Sequence, residues 1–237
     1  GSIMIYFDDL PLSQDILAAL NELKIDYVFQ PIFYPDGKTV YAWEALMRPH
    51  DMDVTELIAE YEKQDKLHVL EVATLFGATQ AFFIRGCKEY LSVNTFPSEF
   101  FSKEEVDAFI SYYGRQKNAM IFESLEYPYL SVEIAQIKRK YADISNNLIA
   151  IDDFGTGINN FDVIDAANPN IVKIDRTLLT DIDKDTYRQE QLREIIDAFH
   201  ARKISVVAEG IETEGEFETM KELGADFFQG YYLKRPS

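Results

Sequence analysis

The chain has 237 residues, of which 47% are hydrophobic, 14% aromatic and 27% charged, a globular composition whose length suits one α/β barrel as a single domain. Its 41 acidic against 23 basic side chains, a formal net charge of −18, argue against a nucleic-acid polymer or an anionic membrane surface as partner. The lone cysteine, Cys87, excludes an intrachain disulfide and fits a reducing, cytoplasmic setting; no apolar run approaches the roughly 20 residues of a membrane span, and no basic start precedes an apolar signal segment.

In chain order, Gly1-Ser2 ahead of Ile3-Met4 reads as a scar of tag removal. A helical pattern over Pro11–Leu23 completes a segment 1–25 that is expected to pack on a barrel domain over 26–237. Strands are expected at Tyr27–Phe33 and Val40–Leu46, and Pro35-Asp36-Gly37-Lys38 between them reads as a hairpin turn that makes this pair antiparallel. Helices follow at Val54–Gln64 and Val69–Arg85, then a strand at Tyr90–Asn94 and a helix over Ser98–Tyr113 opened by Ser98 with Glu99. Beyond these come strand Ala119–Glu123, helix Ser131–Tyr141, and strands Leu148–Asp152 and Ile171–Ile174. The chain closes with helix Tyr187–Arg202, strand Ile204–Ala208, helix Thr213–Leu223 ended by Gly224, and strand Phe227–Gly230. The helical period shows in Ile195, Ile196, Phe199 and in Phe217, Met220, Leu223. Near-continuous apolar strands alternating with helices mark a parallel sheet covered on its outside. The pattern implies an α/β fold, a modified (β/α)8 TIM-type barrel with an antiparallel strand in the opening hairpin; an open doubly wound sheet is the alternative.

Chemistry emerges from what terminates the strands. Asn94 ends its strand, as do Glu123, the pair Asp152-Asp153, Asp175, Glu209 and Gln229; Glu44 lies within the second strand and Lys173 within the sixth. A parallel barrel gathers its C-terminal strand ends on one face. Taken singly, an acid after a strand is more often a helix N-cap or a solvated loop residue. Their recurrence at one topological position favours a site, and a ring of carboxylates and amides there calls for cations. Oxygen ligands without sulfur or imidazole select Mg²⁺, Mn²⁺ or Ca²⁺ over zinc. His50, His68 and His200 fall outside the ring in surface or supporting positions, and Cys87 reads as an inert thiol.

Six spaced motifs, in order, then carry a resemblance. Glu44-Ala45-Leu46-Met47-Arg48 with Gln30-Pro31-Ile32, Val93-Asn94, Asp152-Asp153-Phe154-Gly155-Thr156-Gly157, Lys173-Ile174-Asp175-Arg176, Ala208-Glu209-Gly210-Ile211-Glu212-Thr213 and Gln229-Gly230-Tyr231 resemble the EAL-domain cyclic di-GMP phosphodiesterases. The resemblance spans about Asp26 to Pro236. It implies a modified TIM-type barrel and hydrolysis of cyclic di-GMP to linear pGpG with Mg²⁺ or Mn²⁺, two per site. It further implies Glu44, Asn94, Glu123, Asp152, Asp153 and Glu209 as metal ligands and Gln229 in the metal and water shell. Lys173 would orient the attacking water, Gln30 and Arg48 would hold substrate together with Asp153 and Gln229, and Glu44, Lys173 and Glu209 form the catalytic set. Glu126 and Glu212 are expected to anchor loops.

The chain departs from the family pattern in four places, one of them Val54–Asp65, which lacks the usual Pro-rich entry after the arginine. Gly157-Ile158-Asn159-Asn160 stands where Gly-Tyr-Ser-Ser is usual, Asn94-Thr95-Phe96 where Asn-Leu-Ser is usual, and Glu123-Ser124-Leu125-Glu126 keeps both acids with different residues between them. The loop change leaves a cyclic di-GMP receptor of weak activity as the alternative to an enzyme, and a protein-interaction domain as a further one. Two copies could pair into a homodimer, as the family often does, with Ile110, Tyr112 and Tyr113 as contributors, although aromatic residues at that spacing more often bury within one chain.

Overall fold

The computed structural model describes residues 10–114, 120–125, 131–155 and 161–237. Among them the strands are β1 (Ile25–Phe33), β2 (Val40–Pro49), β3 (Tyr90–Thr95), β4 (Ile121–Leu125), β5 (Leu148–Phe154), β6 (Ile171–Ile174), β7 (Ser205–Ala208) and β8 (Phe227–Phe228), which close into a barrel in that order. Each pair from β2–β3 through β7–β8 is parallel, whereas β1 runs antiparallel to β8 with Phe33 opposite Phe228. The opening hairpin is therefore the irregular element, and the expected (β/α)8-type barrel is the observed fold. Its turn is braced by Asp36, whose Oδ1 accepts from the backbone N–H groups of Lys38 (2.9 Å) and Thr39 (2.8 Å), while Gly37 takes the left-handed φ of +66°.

The helices are α1 (Gln14–Glu22), α2 (Val54–Lys63), α3 (Leu67–Ile84), α4 (Lys103–Tyr113), α5 (Val132–Ser145), α6 (Phe161–Ala167), α7 (Arg176–Leu179), α8 (Thr186–Ala201) and α9 (Glu214–Glu222), with a 3-10 turn at Ile182–Lys184. α4 starts at Ser102, not at Ser98. Ser102 Oγ accepts from Glu105 N–H and the Glu105 carboxylate accepts back from Ser102 N–H, a reciprocal box that Ser98 cannot make because Phe101 stands three residues after it. α6 and α7 were not expected. α7 is a single turn capped by Asp175, which accepts from Thr177 N–H, so this one acid of the strand-end series is a helix cap.

The chain groups into two compact units. The first holds Gly1–Val28, Leu46–Lys88 and Glu99–Asn118. There Ile16, Val72, Phe76 and Ala108 form a buried cluster against which Phe109, Tyr112 and Tyr113 pack, and Tyr113 Oη donates to Phe76 O at 2.7 Å. Tyr112 and Tyr113 thus pack, half-buried, against their own chain. Helix α3, at 18 residues, is the one described helix long and apolar enough to cross a membrane, a run that Glu71, Thr74 and Thr79 disguise in the sequence; its Leu70, Val72, Phe76 and Phe82 are buried.

The second unit holds Phe29–Ala45, Glu89–Ser98 and Ala119–Ser237. Its larger cluster joins β5–β8 to α5, α6, α8 and α9 through Phe154, Ile164, Ile196, Phe199, Met220 and Phe228. Each such fully buried side chain is worth about 1.5–3 kcal/mol of transfer free energy. A smaller cluster takes Ile32, Ala42, Ile121, Ala150, Ile171 and Val207 from β1, β2 and β4–β7, with Tyr41, stacked on Phe227 at 3.8 Å, packed against it.

Candidate active site

Strand periodicity explains how the polar side chains meet. Residues in register share a face, and so do residues two apart. Glu44, Glu123, Asp152, Lys173 and Glu209 each follow a member of the small apolar cluster, Ala42, Ile121, Ala150, Ile171 or Val207, by two positions. Asn94 is in register with Glu123, and Gln229 lies two beyond Phe227, the register partner of Val207. All are therefore carried on the inner face, one step toward the C-terminal ends from an apolar floor.

Asp153 breaks that alternation, since a residue adjacent to Asp152 belongs on the opposite face. The β5–β6 register shifts between Ile151 and Phe154, and Asp153 takes a left-handed φ of +53°. Such a bulge re-aims a side chain at the cost of local strain, an arrangement typical of functional positions. With it, carboxylate oxygens of Asp152, Asp153 and Glu209 all come within 4.8 Å of one another.

Lys173 is the hub. Its fully buried ammonium donates to Glu44 Oε1 and Glu123 Oε1, both at 2.9 Å, and lies 3.5 Å from Glu209 Oε2. Glu44 is further fixed by Gln229 Nε2 on Oε1 (2.8 Å) and Asn94 Nδ2 on Oε2 (3.0 Å). Gln229 Nε2 also donates to Gln30 Oε1 at 3.1 Å, and Gln30 Nε2 to Lys234 O at 3.3 Å. Asp152 Oδ1 accepts from Asp153 N–H at 2.9 Å.

One ammonium does not neutralise five acids, of which Glu44 and Glu123 are buried and Asp152, Asp153 and Glu209 half-buried. Burial works against ionisation of Glu44, and the charge and hydrogen bond of Lys173 overcome it, holding this carboxyl below its ordinary range. For Glu123 and Glu209 burial and neighbouring acids win, pushing both well above it, and Asp152 is pushed up to about 7 by burial and by the charges of Asp153 and Glu44. Burial lowers Lys173, but the surrounding acids more than reverse this and keep it charged. Glu123 Oε2, Glu209 Oε1 and Gln229 Oε1 are buried acceptors with no hydrogen-bond partner. Unpaired buried oxygens beside crowded carboxylates fit a hard divalent cation, which satisfies them and removes the repulsion together.

Arg48, on the stretch of β2 in the first unit, is exposed and donates from Nη1 to Met47 O at 2.9 Å. Glu212 pairs with Arg176 Nη2 at 3.0 Å. Glu126 and the Ile158–Asn160 stretch lie outside the described residues. The sequence reading missed Glu216. This fully buried carboxylate receives Arg176 Nη1 at 3.0 Å and the backbone N–H groups of Asp181 (3.0 Å) and Glu212 (2.9 Å), and so holds the loop that follows Glu209. Thr213-x-x-Glu216 is a capping-box spacing, so the signal was present.

Comparison with known proteins agrees with this geometry. The family model described as EAL domain matches residues 13–236. Among curated relatives, the probable cyclic di-GMP phosphodiesterase PdeA of Escherichia coli K12 is 31% identical over 76% of this chain and 25% of its own length. The blue light- and temperature-regulated antirepressor BluF of the same organism is 22% identical over 86% of this chain and 52% of its own length. The chain thus spans a quarter of one relative and about half of the other. Among solved structures, a standalone versatile EAL protein from Vibrio cholerae O395 in its c-di-GMP-bound form superposes with a TM-score of 0.80, at 25% identity over 91% of this chain and 93% of that one. A match running from α1 to the last residues, over a barrel whose mouth carries the motif acids together, makes this chain a member of the EAL-domain family of cyclic di-GMP phosphodiesterases.

Proposed function

We propose that this chain is an active, metal-dependent phosphodiesterase that opens cyclic di-GMP to linear pGpG. The observation that carries the reading is the bulged Asp152–Asp153 pair, which meets Glu209 within 4.8 Å beside the unpartnered oxygens of Glu123 and Gln229. Glu44, Asn94, Glu123, Asp152, Asp153 and Glu209 would hold two Mg²⁺ or Mn²⁺ ions. Bound there, the ions supply Lewis-acid activation of water and charge compensation for the phosphodiester.

The protein's own groups do the rest. Lys173, locked on Glu44 and Glu123 and 3.5 Å from Glu209, orients the attacking water. Glu209, whose burial and acidic neighbours raise its proton affinity, takes the water proton. The water oxygen bonds to phosphorus as the P–O3′ bond breaks in line, and the 3′ oxygen leaves with a proton from solvent. Gln30 and Gln229, tied to each other, present the rim to substrate, and the resemblance assigns Arg48 to holding substrate as well.

The reading predicts that Glu44→Ala abolishes turnover, by more than about a hundredfold, with an unchanged circular dichroism spectrum. Parental hydrolysis by that variant would overturn it.

A further inference from the structure

Behind the acids, on the opposite face of the same two strands, a second polar cluster joins the residues by which this chain departs from the usual motifs. Asn94 and Glu123 are in register, so Thr95 and Ser124 are in register on the other face. Their hydroxyls lie 2.9 Å apart, and Thr95 Oγ1 donates to Glu123 O at 2.7 Å. With the Thr95 proton committed there, Ser124 donates to Thr95 Oγ1. Lys138, from α5, reaches over both: its Nζ donates to Phe96 O (2.9 Å), Ser124 Oγ (3.2 Å) and Thr95 Oγ1 (3.4 Å). Ser124 is buried, and every proton of the three side chains has an acceptor.

We infer that Lys138 is a positioning residue which, through Thr95 and Ser124, clamps the C-terminal ends of β3 and β4 and so sets Asn94 and Glu123 for cation binding. The inference rests on the reading of those two residues as metal ligands. The clamp holds the chain at and just after each ligand: the Glu123 carbonyl, the Ser124 side chain next to it, and Thr95 and Phe96, which follow Asn94. Thr95 and Ser124 are therefore a linked pair of changes with a shared lysine. Groups that orient ligands without touching the metal typically govern about 10- to 100-fold of its affinity.

The test is Mn²⁺ binding, followed by the paramagnetic resonance of free Mn²⁺, together with cyclic di-GMP kinetics, on the full chain. Lys138→Met should weaken Mn²⁺ about tenfold or more, raising the Mn²⁺ needed for half-maximal rate, with the melting temperature within a few degrees of the parent and KM for nucleotide unchanged at saturating metal. Thr95→Val should do the same, and the double variant should cost little more than either, because one clamp is broken twice. Lys140→Met, at an exposed position on the same helix, is the control. Parental Mn²⁺ affinity in Lys138→Met overturns the clamp; if that variant fails to fold, Thr95→Val and Ser124→Ala decide by the same readout. A parent that binds Mn²⁺ but makes no pGpG overturns the enzymatic reading and leaves the clamp standing, whereas a parent that binds no Mn²⁺ overturns both.

Discussion

At the scale of single residues, Lys173 separates the electrostatics of the site from its architecture. Its ammonium offsets Glu44 and Glu123 at 2.9 Å with no access to solvent, so Lys173→Met strands two buried acids. Removing one partner of a buried pair costs about 3–5 kcal/mol. In chelator the variant should melt well below the parent, and Mn²⁺ should recover part of that loss while turnover stays below about one hundredth of the parent. An unchanged melting temperature in chelator would show that the lysine does not hold the acids. Residues of this kind are legible in a sequence because a lysine inside Ile-Val-Lys-Ile is out of place in a buried strand. Glu216 was legible only as a capping residue, because its burial and the reach of Arg176 toward it are set by the loop fold and by no local pattern beyond that spacing.

At the scale of elements, the start of α3 is tied to the first turn of α4 by His68, whose Nε2 lies 2.7 Å from a Glu105 oxygen. That hydrogen bond raises the His68 pKa above 6.5 against the effect of burial. Burial raises Glu105, but the bonds from His68 and Ser102 N–H overcome it and leave the carboxyl below 4.5. The signs give a window. The His68 contribution is complete below pH 6.5 and is lost as pH rises through the folded value; the Glu105 contribution is complete above pH 4.5 and is lost as pH falls through its folded value. Parent stability should therefore decline relative to His68→Gln on raising the pH from 6 to 9, as followed by urea melts; parallel pH profiles would contradict the link. A second element-scale constraint lies after β8. A Cβ on Gly230 would collide with the backbone O and N of Ile211. Gly230→Ala must then displace Gln229, and we expect at least a tenfold loss in kcat/KM, about 1.4 kcal/mol; parental kinetics would refute the tight seat. The strands were readable as runs of β-branched and aromatic residues, whereas α7 and the bulge at Asp153 were not, since one turn or one shifted register leaves no periodicity to detect.

At the scale of the molecule, the barrel and its antiparallel opening strand were legible because each strand announces itself between helices and because the Asp36-Gly37 turn marks the hairpin. The grouping into two units was not legible, for the first unit assembles from three separate segments whose association is a matter of long-range contacts. The net charge of −18 acquires a local meaning in the second unit, where four acids, Glu44, Glu123, Asp152 and Glu209, surround one lysine and leave buried oxygens unpartnered. A cation-dependent reaction on an anionic dinucleotide is the use we propose for such a site. The direct measurement is incubation of the purified chain with cyclic di-GMP, with Mn²⁺ or with chelator, and chromatographic separation of the products. Linear pGpG that accumulates with Mn²⁺ and is absent in chelator is the predicted result. Cyclic di-GMP recovered intact in the presence of saturating Mn²⁺ or Mg²⁺ would contradict the account.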